Sequence, residues 1–99
     1  MLKIEQKTEG NTMWINAVGR VDTTTAPELE VVINGCGEEV QEMIIDMEQL
    51  EYISSAGLRV ILKAQKMMSR KNGLKLKNVN ETIMEIFDIT GFIDILTIE

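Results

Sequence analysis

Ser54 and Ser55 follow the apolar Ile53 and precede Ala56-Gly57-Leu58-Arg59-Val60-Ile61-Leu62, whose apolar residues recur at helical spacing. They stand where a strand turns into a helix. The first N–H groups of a helix lack intrahelical partners and carry the positive end of its dipole, so a serine there is suited either to cap the helix or to carry a phosphate. The plain reading is a cap at Ser54 or Ser55 and the sharper one a phosphorylation switch, and residue types alone leave both open. Asp22 and Asp46, each expected at the carboxyl end of a strand, are the other candidates. For both, a turn or capping acceptor is the alternative role, and for Asp46 it is the favoured one.

Other chemistry has little to work with. The chain has no histidine and a single cysteine, Cys36, so no internal disulfide and no zinc site are expected. Neither a Gly-x-Gly-x-x-Gly fingerprint nor a Gly-x-x-x-x-Gly-Lys loop is present, so no nucleotide or other cofactor is implied. With no poised base, nucleophile or metal, an enzyme is not expected. Cys36 lies among apolar residues and reads as a small hydrophobe, and the 7 methionines read as core fillers.

The elements that must position the serines follow from periodicity. Leu2–Thr8 and Met13–Val21 alternate apolar with polar residues across a Glu9-Gly10-Asn11-Thr12 turn, which predicts an antiparallel hairpin in which Trp14 packs and does not stack a ligand. Thr25-Ala26-Pro27-Glu28 has capping-box spacing and opens a helix with Ala26, Leu29, Ile33 and Cys36 on one face, ended by Gly35 or Gly37. Glu42–Met47 is short and apolar, as a central strand buried on both faces would be. The Ser55 helix then runs to about Arg70, turning Leu58, Ile61, Leu62, Gln65 and Met68 inward, and Lys71-Asn72-Gly73 closes it. Leu74–Val79 is another strand, Asn80 caps a helix that buries Ile83, Ile86 and Phe87 and stops at Gly91, and Ile93–Ile98 is a last strand. The order β-β-α-β-α-β-α-β predicts one α/β domain over residues 1–99, a mixed sheet with an N-terminal antiparallel hairpin and three main helices.

Net charge of −6 disfavours nucleic acid and anionic membrane as partners. No apolar run is long enough to insert in a bilayer and no signal pattern opens the chain, so a cytoplasmic protein is expected. Residues 1–54 carry −8 and residues 55–99 carry +2, which predicts one acidic end. Arg59, Lys63, Lys66 and Arg70 fall on one helix face as a basic stripe, either solvated or a docking surface for an acidic partner.

The run Tyr52-Ile53-Ser54-Ser55-Ala56-Gly57-Leu58-Arg59-Val60, with Asp46 before it, resembles the signature of STAS-domain proteins of the bacterial anti-sigma-factor antagonist family. Gly19-Arg20-Val21-Asp22 and Ala26-Pro27-Glu28-Leu29 match a second segment upstream. The resemblance implies a STAS-like fold and a phosphate acceptor at Ser55, with Ser54, where the family often has aspartate, as the alternative. It further implies that the unphosphorylated form binds an anti-sigma factor with serine kinase activity, that phosphorylation ends this binding, and that a PP2C-type phosphatase restores it. Asp22, Ser54, Gly57 and Arg59 are then the expected partner-binding residues. The same fold also serves as a regulatory domain of anion transporters, and the alternative reading is a STAS subunit of a lipid-transport ABC system or a stress-signalling assembly without obligatory phosphorylation. A free chain of 99 residues speaks against the fused transporter form.

Overall fold

The computed structural model describes residues 1–99. Strands β1 (Leu2–Glu9) and β2 (Thr12–Val21) form the expected antiparallel hairpin, with Leu2 opposite Gly19 and Glu9 opposite Thr12. Helix α1 (Ala26–Asn34), strand β3 (Glu42–Asp46), strand β4 (Leu50–Ile53), helix α2 (Ser55–Met68), strand β5 (Leu74–Lys77) and helix α3 (Glu81–Thr90) follow, and a 3-10 turn, η1 (Phe92–Asp94), comes last. The sheet runs β1-β2-β3-β5, with β3 and β4 sharing one side of the long strand β2.

Period-two alternation decides which side of the sheet the helices cover. Met13, Ile15 and Ala17 of β2 join Met43 and Ile45 of β3 and Leu74 and Leu76 of β5 in one buried cluster. The same cluster takes Leu29 and Ile33 from α1, Leu58, Ile61, Ala64 and Met68 from α2, and Ile83 and Phe87 from α3, so all three helices pack on one face. Ile44, in register with Trp14 and Lys75, is buried on the other face, which makes β3 central and covered on both sides as its apolar run predicts. Trp14 lies on that face 39% exposed, with the Lys77 ammonium 5.3 Å from its ring centroid. Met13, Met43, Met47 and Met68 fill the core, and Cys36 packs partly buried against it.

The α/β class, the hairpin and the three helices agree with the sequence reading, but the element order differs at two places. Leu50–Ile53 is a fourth strand that the pattern did not announce. It is short, and a bulge lets both Glu51 and Tyr52 follow the Gly19–Leu50 pair where β2 offers only Arg20, so the buried residues are Leu50 and Ile53 and alternation is lost. Conversely, Ile93–Ile98 is not a strand. Gly91 ends α3 in the left-handed region at φ 81°, the chain tightens into η1, and the Ile95 and Leu96 N–H groups donate back to the Phe92 carbonyl. Those donors are lost to a ladder, and only the bridge between Ile98 and Leu76 remains.

Within α2 the buried positions are Gly57, Leu58, Val60, Ile61, Ala64 and Met68, whereas Leu62 and Gln65 sit at the margin. Asn80 does more than its expected cap. Its Oδ1 accepts from the Ile83 N–H at 3.0 Å, while its Nδ2 faces the carbonyls of Met47, Glu48 and Leu50 at 3.1, 3.2 and 2.7 Å, pinning the start of α3 to the β3–β4 turn. Replacing Asn80 by Ala therefore removes a cap and leaves part-buried carbonyls unpaired, with an expected loss of about 2–3 kcal/mol. Urea unfolding should show it as a lowered midpoint at unchanged slope.

Candidate phosphorylation and docking site

Parallel pairing of Val21 with Ile53 sets the ends of β2 and β4 side by side, and the Ser54 N–H donates to the Val21 carbonyl at 2.8 Å. The chain leaves each strand end through a tight corner into a helix. The two segments that carry the family resemblance, one around Asp22 and the other around Ser55, meet there.

At the first corner, Asp22 organises the turn. Its Oδ1 accepts from the N–H groups of Thr24 and Thr25 at 2.9 and 3.0 Å, and the Thr25 hydroxyl lies 3.1 Å away. The Thr25 N–H leads in holding the carboxyl below the usual carboxylate range, with help from the Thr25 hydroxyl, the Thr24 N–H and the chain's amino terminus. Oδ2 makes no hydrogen bond, so Asp22 is a turn acceptor with one oxygen left over. The expected Thr25–Glu28 capping box does not form. The Thr25 hydroxyl is already engaged, accepting from the Asp22 N–H at 2.8 Å and lying 2.9 Å from the Arg20 carbonyl, so α1 starts without a side-chain cap.

At the second corner the two serines divide the work. Ser54 is the cap: its backbone is extended, and its Oγ accepts from the Gly57 N–H at 3.3 Å. Ser55 is the first residue of α2, exposed, with no hydrogen bond from its hydroxyl. No acidic residue stands in the first turn of α2. An added anion on Ser55 would therefore meet free N–H groups and the positive helix end, without a neighbouring carboxylate in that turn to repel it.

Gly57 and Arg59 take opposite roles. Gly57 is buried, and a Cβ at this position would come within 2.6 Å of Val21 Cγ1 and 2.7 Å of Ile53 Cγ1. Gly57, expected among the partner-binding residues, is a packing residue in the structure: a hydrogen is all that fits where α2 crosses the paired strand ends. Arg59, one turn beyond Ser55, is exposed and free of ion pairs. It borders a shallow groove between α1 and α2 lined also by Thr23, Pro27, Glu30, Ala56 and Lys63. Lys63 pairs with Glu30 across this groove at 3.0 Å, and Lys66 lies further along α2, whereas the helix ends at Met68 and leaves Arg70 in the turn beyond it, not on the helical stripe expected from the sequence.

Asp46 is not part of this constellation. Its Oδ1 accepts from the Glu48 N–H and its Oδ2 from Asn78 Nδ2, both at 2.9 Å, which bears out the structural role favoured for it. The sequence reading missed a contact beside the site, the Arg20 guanidinium 4.6 Å from the centroid of the Tyr52 ring. Only the β2–β4 register makes these two residues neighbours.

A family model described as the STAS domain matches residues 3–99. The chain belongs to the STAS domain family. The anti-sigma-B factor antagonist of Bacillus subtilis (strain 168) is 32% identical over 98 residues, covering 98% of this STAS chain and 90% of the relative. Among solved structures, an anti-sigma factor antagonist from Mycobacterium paratuberculosis superposes with a TM-score of 0.88 at 17% identity, covering 99% of this chain and 85% of that one. The Bacillus cell fate determinant SpoIIAA in its phosphorylated form gives a TM-score of 0.74 at 19% identity over 100% of this chain and 91% of its own. At such identities the structural likenesses establish the STAS fold. No helix of this chain is long and apolar enough to cross a membrane.

The packing role of Gly57 has a direct check. Gly57→Ala should destabilise the fold by about 1–3 kcal/mol through overpacking against Val21 and Ile53, an effect that thermal or urea unfolding would register.

Proposed function

We propose that residues 1–99 form one STAS domain that works in the cytoplasm as an anti-sigma-factor antagonist, without catalytic activity of its own. Unphosphorylated, it binds an anti-sigma factor that is also a serine kinase and so frees the sigma factor. Phosphate on Ser55 ends that binding, and a PP2C-type phosphatase restores it. One observation carries the reading: of the two serines at the α2 corner, Ser54 is occupied as the cap and the Ser55 hydroxyl stands exposed and unbonded. Relatives named as anti-sigma factor antagonists supply the class of partner.

The physical effect of the modification fits a switch that leaves the domain folded. A phosphate adds about −1.5 to −2 charge at neutral pH. At the N-terminus of α2 that charge is favourable within the domain, while in a close interface it brings repulsion and a desolvation cost. Asp22, Ser54 and Arg59 surround Ser55 as the docking surface, with Gly57 shaping it from below.

Because the cap belongs to Ser54, Ser55→Ala should change stability by less than about 0.5 kcal/mol while abolishing phosphate uptake and making partner binding constitutive. Ser54→Ala should lose about 1 kcal/mol of stability and still take up one phosphate. Intact-mass measurement after incubation with the kinase distinguishes them: phosphate on the Ser55→Ala protein would move the acceptor to Ser54.

Arg59 tests the interface separately from the modification. Arg59→Glu should weaken partner binding by about 1–3 kcal/mol, as loss of a charged hydrogen bond would. The double variant Lys66→Glu, Arg70→Glu should alter mainly the salt dependence of the association rate. Calorimetric titration that found equal losses at both ends would spread the interface along the whole stripe.

A further inference from the structure

Charge in the second half of the chain is segregated by element. Residues 55–77 hold seven basic side chains and no acidic one, whereas residues 78–99 hold five acidic side chains and no basic one. The acidic segment also bares apolar surface: Ile89 is 85% exposed and Ile95 50% exposed. In the same segment, Met84 and Ile93 line a shallow groove of about 340 Å³ whose remaining walls are Glu81, Glu85 and Asp88. None of Glu81, Glu85, Asp88 and Asp94 has an ion pair, and no side-chain hydrogen bond engages them; elsewhere Glu30 meets Lys63, and Glu42 and Glu99 meet Lys75.

Glu81, in the first turn of α3, suits the helix dipole, but the carboxylates after it do not. Asp88 lies in the last turn of α3, where the dipole favours cations and no basic residue is present. Glu81 and Glu85 are like charges one turn apart, a spacing that destabilises a helix. Carboxylates in such positions, uncompensated and flanking exposed isoleucines, are left for a charge supplied from outside.

We infer that the α3–η1 face is a second docking surface, separate from the Ser55 corner, for a protein segment that carries lysine or arginine around one or two apolar anchors. The anchors enter the groove over Met84 and Ile93 and extend onto Ile89, and the cations meet Glu81, Glu85 and Asp88. A second copy of this chain fits less well. Each copy carries a net −6, and a symmetric contact of this face with itself would oppose like carboxylates. The inference does not rest on the phosphorylation reading, because no residue of this face lies at the α2 corner.

The probe is a short synthetic amphipathic peptide of leucine and lysine, titrated into the full chain with amide shifts mapped by NMR. Shifts should concentrate on residues 81–95. Glu85→Lys with Asp88→Lys should weaken peptide binding at least about tenfold, and so should Ile89→Ser. Glu38→Lys with Glu39→Lys, the same charge change on the exposed loop before β3, should alter it by less than about twofold. The thermal midpoint of the Glu85→Lys, Asp88→Lys protein should equal or exceed that of the parent, since lysine suits the end of α3; a role in holding the fold would lower it. Equal weakening by the loop variant would reduce the effect to bulk charge and overturn the proposal, as would shifts centred elsewhere or no binding. Sedimentation showing a dimer that Ile89→Ser abolishes would overturn it in favour of self-association.

Discussion

Everything at the α2 corner depends on the parallel pairing of β2 with β4. Val21 beside Ile53 fixes where both strands end, and the bond from the Ser54 N–H to the Val21 carbonyl closes the gap between them. Two helices then begin from neighbouring points. Had β4 paired one residue out of register, Ile53 would face solvent and the serines would turn toward the core, since a single-residue slip exchanges the faces of a strand. Burial of Leu50 and Ile53 in the common cluster holds the register.

From that constraint follows the division of labour between the serines. Without a Cβ, Gly57 lets α2 lie against Val21 and Ile53 at the strand ends, and its N–H, three residues into the turn, donates to the Ser54 hydroxyl. Capping therefore falls to Ser54 and leaves Ser55 facing outward. Serine and aspartate are comparable caps, so Ser54 keeps the corner intact where a carboxylate would also serve. A charge placed on Ser55 would meet a corner whose cap is already supplied by Ser54.

The electrostatic layout also depends on folding. Counting along the chain contrasts an acidic first half with a slightly basic second half, yet cations and carboxylates within the second half separate onto different elements, with the basic stripe on α2 and the unpaired carboxylates on α3 and η1. Glu48 and Glu51 from the β3–β4 segment and Glu81 from α3 border one concavity. That concavity draws its carboxylates from both halves of the sequence.

Local patterns determined much of this protein unaided. Alternation in Met13–Val21, the 3.6-residue spacing of Leu58, Ile61 and Met68, the Asn80 cap and the Gly91 stop are short-range properties, and each appears in the structure as read; in Leu2–Thr8 the strand forms, but only Leu2 and Ile4 are covered and Gln6 is exposed. The same locality placed Ser54 and Ser55 at a helix start and Asp22 and Asp46 in turns. It could not choose between the serines, because either oxygen can cap a helix until tertiary packing sets the backbone before it. Strand β4 was hidden because its apolar residues obey a bulge imposed by its partner, and Ile93–Ile98 looked like a strand because an apolar run does not reveal whether its N–H groups will find a ladder. Thr25 was read as a cap because its spacing from Glu28 fits a capping box, but the tight turn at Asp22 offers its hydroxyl nearer partners, the Asp22 N–H and the Arg20 carbonyl. What tertiary structure alone decided was partnership across the chain: Val21 with Ile53, Asn80 with the β3–β4 turn, and Arg20 with Tyr52. Those pairings are set by burial of the common core, which depends on the whole chain at once, whereas caps, turns and periodicities depend on a few neighbouring residues.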